Sequence, residues 1–353
     1  MDQAPPFLSV RDLKTYFYPD EGIVRAVDGV TFDIRRGATL GIVGESGCGK
    51  SVTARSILRI VESPGRIVGG SIVLRQDITR PDPDVQAALD GRAEIDLTQV
   101  SPEGREMRSV RGAVVSLVFQ EPMSSFSPVH TVGNQIIEAI RLHRNVSKRE
   151  ARDRAIELLR RVGIPRAEQR VDEYTFQLSG GLRQRAMIAM ALSCDPLLLI
   201  ADEPTTALDV TTQAQILDLL QELQDQNGMA IMLITHNLGV IAEMADDVAV
   251  MYLGRVVEQG PVDDIFHAPK HPYTRALLES IPSIHSVPRV KLPTITGSIP
   301  HPYNRPKGCP FHPRCVSYMR GVCERDIPAL STIGRQQVSC YLYENTSVAA
   351  AGE

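Results

Sequence analysis

The sequence predicts an α/β fold on a parallel sheet with helices on both faces, followed by a small loop-rich extension. Three observations carry this. Short apolar runs of strand length alternate with helical periodicity from residue 39 to residue 252, the pattern of strand–helix–strand crossovers over a sheet buried on both sides. A glycine-rich loop at residues 44–51 stands between a strand-like run and a helical segment. From about residue 269 periodicity fades, prolines concentrate and four cysteines crowd together.

The elements follow in order. Residues 8–13 and 23–34 are β-rich and flank the turn Pro19-Asp-Glu-Gly22, so both read as strands. Residues 39–43 form a short apolar run, and 50–61 look helical. Residues 75–107 are polar, carry Pro81, Pro83 and Pro102, and read as an excursion on the surface of the core. Residues 133–163 turn helical: Ala155, Leu158, Leu159 and Val162 recur at i, i+3, i+4 and i+7 on one face. Residues 197–201 read as a buried strand, and Ile216, Leu219, Leu220 and Leu223 mark a helix. Two more strands fall at 230–234 and 248–252. The extension beyond 269 has too little periodicity for a core of its own and is expected to need a staple.

Composition narrows the function. The 353 residues are 43% hydrophobic and 23% charged, which excludes disorder across the whole chain. A net charge of −4 argues against a general nucleic-acid binder. No apolar run approaches the roughly 18–20 residues a membrane span needs. The start, MDQAPPFLSV, lacks the basic and apolar blocks of a secretory signal. The expected place is the cytosol, with any membrane served from its surface.

Gly44-Glu-Ser-Gly-Cys-Gly-Lys-Ser51 fits G-x-x-x-x-G-K-[ST] at every fixed position, between a strand and a helix. Glycines let backbone N–H groups turn toward a phosphate, and the helix N-terminus adds its positive end. Lys50 would reach the β- and γ-phosphates, and Ser51 would ligate Mg²⁺. Cys48 reads as a small filler at a variable position. Downstream, Leu197-Leu-Leu-Ile-Ala-Asp-Glu-Pro204 is an apolar strand ending in two carboxylates. After a phosphate loop it reads as the magnesium-associated strand of a P-loop NTPase, with Asp202 on Mg²⁺ through water and Glu203 as general base. Leu178-Ser-Gly-Gly-Leu-Arg-Gln-Arg185 opens another helix, with Ser179 as a good N-cap. Taken alone it is an ordinary capped helix. Beside the first loop it is a second anion cradle, and it would serve a nucleotide held by a second subunit.

With these motifs in this order, residues 8–268 resemble the ATP-binding cassette (ABC) family. The resemblance implies a RecA-like core with an antiparallel β subdomain and an α-helical subdomain at about 121–178. Gln120, in Val118-Phe-Gln-Glu-Pro122, matches the Q-loop, which touches Mg²⁺ and water and meets the membrane subunit. Ala207-Leu-Asp209 matches the D-loop that crosses the dimer interface, and His236 matches the switch histidine at the γ-phosphate. The ATP-binding set it implies is Gly44, Ser46, Gly47, Cys48, Gly49, Lys50, Ser51 and Val52, with an upstream aromatic on adenine. Phe17 fits best there, Tyr16 and Tyr18 are rivals, and plain strand packing is the other reading. Ser179, Gly180, Gly181 and Gln184 would face the partner's ATP, with Asp209 in the D-loop; Ser51, Gln120 and Asp202 would hold Mg²⁺; Glu203, His236 and Gln120 would be catalytic.

His271-Pro-Tyr-Thr-Arg-Ala-Leu-Leu278 and Cys309-Pro-Phe-His-Pro-Arg-Cys315 resemble the C-terminal extension (here 269–353) of dipeptide/oligopeptide importer ATPases. Met123-Ser-Ser-Phe-Ser-Pro128 and Pro204-Thr-Thr-Ala-Leu-Asp209 are similar to the same group. The excursion at 75–107 is longer than that group suggests, and Leu182 stands where methionine is usual. Cys309, Cys315, Cys323 and Cys340 are spaced C-x5-C-x7-C-x16-C. Four thiolates can hold Zn²⁺ or an iron–sulfur cluster. Paired zinc knuckles are absent, and the resemblance implies a 4Fe-4S cluster, with Zn²⁺ or unliganded thiols as alternatives. The implied function is ATP hydrolysis at a dimer interface, driving uptake of di- or oligopeptides. The implied partners are two membrane permease subunits, a second ATPase (a heterodimer over a homodimer) and an extracytoplasmic solute-binding protein, with no nucleic acid. The implied location is the cytoplasmic face of the cell membrane. Competing readings are a nickel or other small-solute importer, a soluble ABC ATPase of DNA repair or translation, an ATPase of iron–sulfur assembly, and a regulatory module with a dead site.

Overall fold

A computed structural model describes residues 5–76, 83–121, 125–206, 208–280 and 295–344. Residues 122–124 and Ala207, which carry part of the resemblance, lie outside the described residues. The strands in chain order are β1 (Leu8–Phe17), β2 (Val24–Ile34), β3 (Thr39–Val43), β4 (Gly65–Arg75), β5 (Glu94–Asp96), β6 (Val115–Val118), β7 (Leu198–Asp202), β8 (Ala230–Ile234), β9 (Asp247–Tyr252), β10 (Arg255–Pro261), β11 (Ser331–Ile333) and β12 (Gln336–Val338).

They form two sheets. One is antiparallel, in the order β2-β1-β4-β5; the other runs β11-β12-β10-β9-β3-β8-β7-β6. In the second, β9, β3, β8, β7 and β6 run parallel to one another, and β10 pairs antiparallel with β9. Strands β3, β7 and β8 are buried at every residue. Covered on both faces, they read in the sequence as unbroken apolar runs. One core cluster fills the space between the sheets and includes Leu8, Leu13, Ile42, Ile57 and Ile72. The other packs the opposite face of the main sheet against the helices.

Residues 133–163 form two helices, Val132–His143 and Lys148–Arg161, not one. Ser147 ends the break: its Oγ accepts from Glu150 N, and the Glu150 carboxylate accepts from Ser147 N at 2.8 Å. This reciprocal cap starts the second helix in a fixed direction. Ala155, Leu158, Leu159 and Val162 line its buried face.

One expectation changes. The stretch 75–107 is not only a surface excursion. It holds the helices Pro83–Leu89 and Arg105–Val110 around β5, and Val85, Leu89, Ile95, Leu97 and Met107 join the core between the sheets. Pro83 opens the first of these helices. The loop-rich extension is held to the main sheet. Strand β12 pairs antiparallel with β10, Glu258 opposite Val338, and so lengthens the main sheet. Phe311 packs against Tyr252 and Tyr273, both with ring centroids 5.3 Å away. The staple is therefore strand pairing and aromatic packing.

Candidate functional site

The phosphate loop leaves β3 at Gly44 and enters the helix Lys50–Ile57. Its glycines are required by space as well as by conformation. At Gly44 (φ +147°) a Cβ would stand 2.2 Å from the Met251 carbonyl oxygen, and at Gly49 (φ +99°) 2.2 Å from that of Ala26. Ser46 and Gly47 are exposed at the mouth, Cys48 is buried, and Val52 packs partly into the core. Burial raises the Cys48 thiol's pKa, in keeping with a filler. Lys50 is buried and its Nζ donates to the carbonyls of Gly44 (2.8 Å) and Glu45 (3.1 Å). The loop thus holds its own cation at the point where phosphate charge would be met.

The carboxylate pair ends β7 beside this loop. Asp202 is buried and its Oδ1 has no hydrogen-bond partner. Burial raises its pKa, against the opposing effect of a hydrogen bond with Ser51. Glu203 has φ +51°, a left-handed conformation that costs a non-glycine residue about 1 kcal/mol or more. Its N–H donates to Ile234 O at 2.8 Å. Its carboxylate accepts from Gln120 Nε2 at 3.1 Å and from Thr206 Oγ1 at 3.2 Å, and lies 3.3 Å from His236 Nδ1. Gln120, Glu203 and His236, spread over more than a hundred residues, thus meet at one carboxylate. Thr206 joins them and was not anticipated; a threonine three residues after a glutamate gives no sequence signal.

Ser179 caps the helix Gly180–Ala191, accepting from Leu182 N at 3.4 Å. Ser179 and Gly180 are exposed and Gly181 is partly so, leaving that helix start open to another molecule. Gln184 lies elsewhere. It is fully buried and its Nε2 donates to Glu203 O at 3.2 Å in the same chain. Asp209 caps the helix Val210–Asn227, accepting from Thr212 N at 3.0 Å and Thr212 Oγ1 at 2.8 Å.

The three aromatics at the end of β1, Tyr16 and Phe17 in the strand and Tyr18 just after it, have different surroundings. The Tyr16 hydroxyl donates to Asp28 at 2.6 Å, and burial with this bond raises its pKa to about 12. The Tyr18 ring is covered by the Arg66 guanidinium at 4.3 Å. Phe17 is half-buried, its ring against Gly65, where a Cβ would stand only 2.5 Å from it.

The cysteine expectation is corrected. Among the described residues no group of three or more His, Cys, Asp or Glu side chains is placed to hold a metal ion. Cys309, Cys315, Cys323 and Cys340 are free thiols. Burial raises the pKa of Cys309 to about 11 and that of Cys340 to about 12. Neither the 4Fe-4S cluster nor its zinc alternative is supported.

Two residues of the extension reach the phosphate loop, and the sequence did not signal either. Arg314, between the first two of these cysteines, pairs with both carboxylate oxygens of Glu45 at 2.7 and 3.0 Å. The Tyr273 hydroxyl accepts from Glu45 N at 2.9 Å.

Comparison with known proteins agrees with this geometry. Residues 27–206 match the ABC transporter family, and residues 257–323 match the oligopeptide/dipeptide transporter C-terminal region. Oligopeptide transport ATP-binding protein AppD of Bacillus subtilis is 50% identical over 340 residues, 96% of this chain and 97% of that one. A "Probable peptide ABC transporter ATP-binding protein y4tR" of Sinorhizobium fredii is 49% identical over 332 residues, 94% of this chain and 93% of that one. Both are named as peptide-transport ATP-binding proteins and neither as an iron–sulfur protein. The dimeric structure of MJ0796, a bacterial ABC transporter cassette, superposes with a TM-score of 0.60 at 25% identity, covering 72% of this chain and 98% of that one. A phosphate loop facing a carboxylate held by glutamine and histidine, followed by this C-terminal region, places the chain in the ABC transporter family of ATP-binding subunits.

Proposed function

We propose that this chain is the ATP-hydrolysing subunit of an importer of di- or oligopeptides. The observation that carries the reading is the convergence of Gln120, Thr206 and His236 on the Glu203 carboxylate, beside the loop of Lys50 and Ser51. The loop N–H groups and Lys50 bind the phosphates, and Phe17 stacks on the base. The unpartnered, buried Asp202 Oδ1 next to Ser51 fits a hard cation. Ser51, Gln120 and Asp202 would hold Mg²⁺, which neutralises phosphate charge when bound. Glu203 orients a water and takes its proton as the water oxygen bonds to the γ-phosphorus. The bond to the β-phosphate oxygen breaks and ADP leaves. His236 steadies the γ-phosphate end. Most of the rate comes from fixed dipoles and charge already aimed at the transferring group.

Ser179 and Gly180, which are exposed, and the partly exposed Gly181 cradle a nucleotide bound by a second ATPase subunit, and Asp209 lies at that interface. The pairing is with a related but different ATPase. Residues 1–268 form the cassette, 121–178 its helical subdomain and 269–353 the extension. The complex includes two permease subunits, which the helical subdomain moves, and an extracytoplasmic solute-binding protein. Its place is the cytoplasmic face of the cell membrane; among the described residues no helix is long and apolar enough to cross one. The peptide assignment rests on the names of the relatives and on the C-terminal region.

The test is Glu203→Gln in the complex with its permeases in lipid vesicles. A lost general base is expected to lower ATP turnover by about 10²-fold or more, with ATP still bound and closed ATPase pairs accumulating. Turnover unchanged in that variant would reject the assignment. Uptake of labelled nickel but not of labelled peptide by wild type would reject the substrate class.

A further inference from the structure

The extension grips the phosphate loop at Glu45, the loop's first variable position, and all three of that residue's polar groups are engaged. Its N–H goes to the Tyr273 hydroxyl at 2.9 Å, its carbonyl takes Lys50 Nζ at 3.1 Å, and its carboxylate takes Arg314 through both oxygens. Tyr273 and Arg314 both lie in the C-terminal region, in the helix Pro272–Glu279 and the turn His312–Arg314. Arg314 is itself held. Its Nε donates to Thr296 O at 3.0 Å and its Nη1 to Tyr252 Oη at 3.3 Å, and its side chain is only 4% exposed. A buried, bidentate guanidinium–carboxylate pair fixes orientation as well as distance. The extension makes a second, single-nitrogen guanidinium–carboxylate contact near the aromatic end of the site. Arg305 pairs with Asp28 at 2.7 Å, and Asp28 also accepts from the Tyr16 hydroxyl.

We propose that Arg314 is a positioning residue for nucleotide binding. Acting through Glu45, it holds the first turn of the phosphate loop in the shape that presents its N–H groups to the phosphates. The extension is thus part of the nucleotide site, and its docking sets the affinity for ATP. Release of Arg314 removes one of the three holds on Glu45, leaving those of Tyr273 and Lys50, so phosphate binding weakens first and the chemical step, centred on Glu203, changes less. The inference rests on the reading of the loop as an ATP site.

The experiment measures MgATP binding to the full chain by calorimetry, with ATP turnover of the reconstituted complex alongside. Arg314→Gln is expected to raise the Kd about tenfold, a loss of about 1.4 kcal/mol. Arg314→Lys, which keeps charge but not the fork, should raise it about threefold. Glu45→Gln should match Arg314→Gln, and the double variant should be no worse than either single one, since both remove one interaction. In turnover the change should sit in KM, with kcat within about twofold. A merely structural role would instead lower the melting temperature and the active fraction at unchanged Kd. If Arg314→Gln does not fold, Glu45→Gln carries the same test from the more exposed partner. A Kd within twofold of wild type in the folded variants, or additive effects in the double, overturns the proposal. Wild type that binds MgATP but never hydrolyses it overturns the proposed function alone; wild type that binds none overturns both.

Discussion

Replacing Gln184 by leucine removes one buried donor from the backbone of Glu203 and leaves the volume nearly unchanged. In the wild-type chain Gln184 Nε2 donates to Glu203 O at 3.2 Å, and that carbonyl also accepts from Thr206 N at 3.4 Å. The oxygen is therefore not orphaned by the change. The stability loss should stay at the low end for a buried hydrogen bond, about 1 kcal/mol, or about 2–4 °C in melting temperature for a domain of a few hundred residues. The catalytic loss should be larger. Glu203 is held at φ +51° by its N–H bond to Ile234 O at 2.8 Å on one side and by Gln184 on the other. Remove one holder, and the peptide can relax from a conformation that costs about 1–3 kcal/mol. The carboxylate then moves off the water it must orient. A misplacement of about 1 Å costs up to about 10²-fold, so kcat should fall by about 10- to 100-fold. KM for ATP should stay within twofold, because the phosphate loop is untouched. The assay pairs calorimetry of the chain with steady-state hydrolysis by the reconstituted complex. A drop in kcat no larger than the lost folded fraction, or an equal rise in KM, would show that Gln184 is core filler and refute the reasoning.

Two further outcomes follow from buried geometry. Gly49→Ala would put a methyl group 2.2 Å from Ala26 O at φ +99°; a loss of about 3 kcal/mol or more is expected, and a thermal melt equal to wild type would mean that the loop yields more easily than its contacts imply. Burial lowers the His271 pKa from 6.5 to about 3, aided by Arg275. Between those values the native state binds fewer protons than the unfolded one, so its stability is full above pH 6.5 and declines as pH falls toward 3, by up to about 1.4 kcal/mol per pH unit. His271→Gln should flatten that decline, and urea midpoints at pH 7.5 and pH 5 that fall as steeply in the variant as in wild type would count against it.

Much of this molecule is written locally. The strands at 39–43, 197–201 and 230–234 are legible because a strand covered on both faces must be apolar throughout. The phosphate loop is legible because backbone approach to a carbonyl or a phosphate admits only glycine at fixed positions. The short strands β5, β11 and β12 are not. Three residues carry too few side chains to show a period, and β12 joins the main sheet through β10, far earlier in the chain, with Glu258 opposite Val338.

The four cysteines misled for a related reason: spacing describes contour length, not where the sulfur atoms point or whether they are ionised. The order of motifs and the residue types of the nucleotide loop follow from the chain alone, because each is set by the stereochemistry of a few neighbouring residues. That Gln120, Thr206 and His236 share one carboxylate, that Gln184 turns inward to Glu203, and that Arg314 reaches back across 269 positions to Glu45 emerge only when the sheets close. Such contacts depend on the long-range register of packed layers, and no local pattern of side chains encodes it.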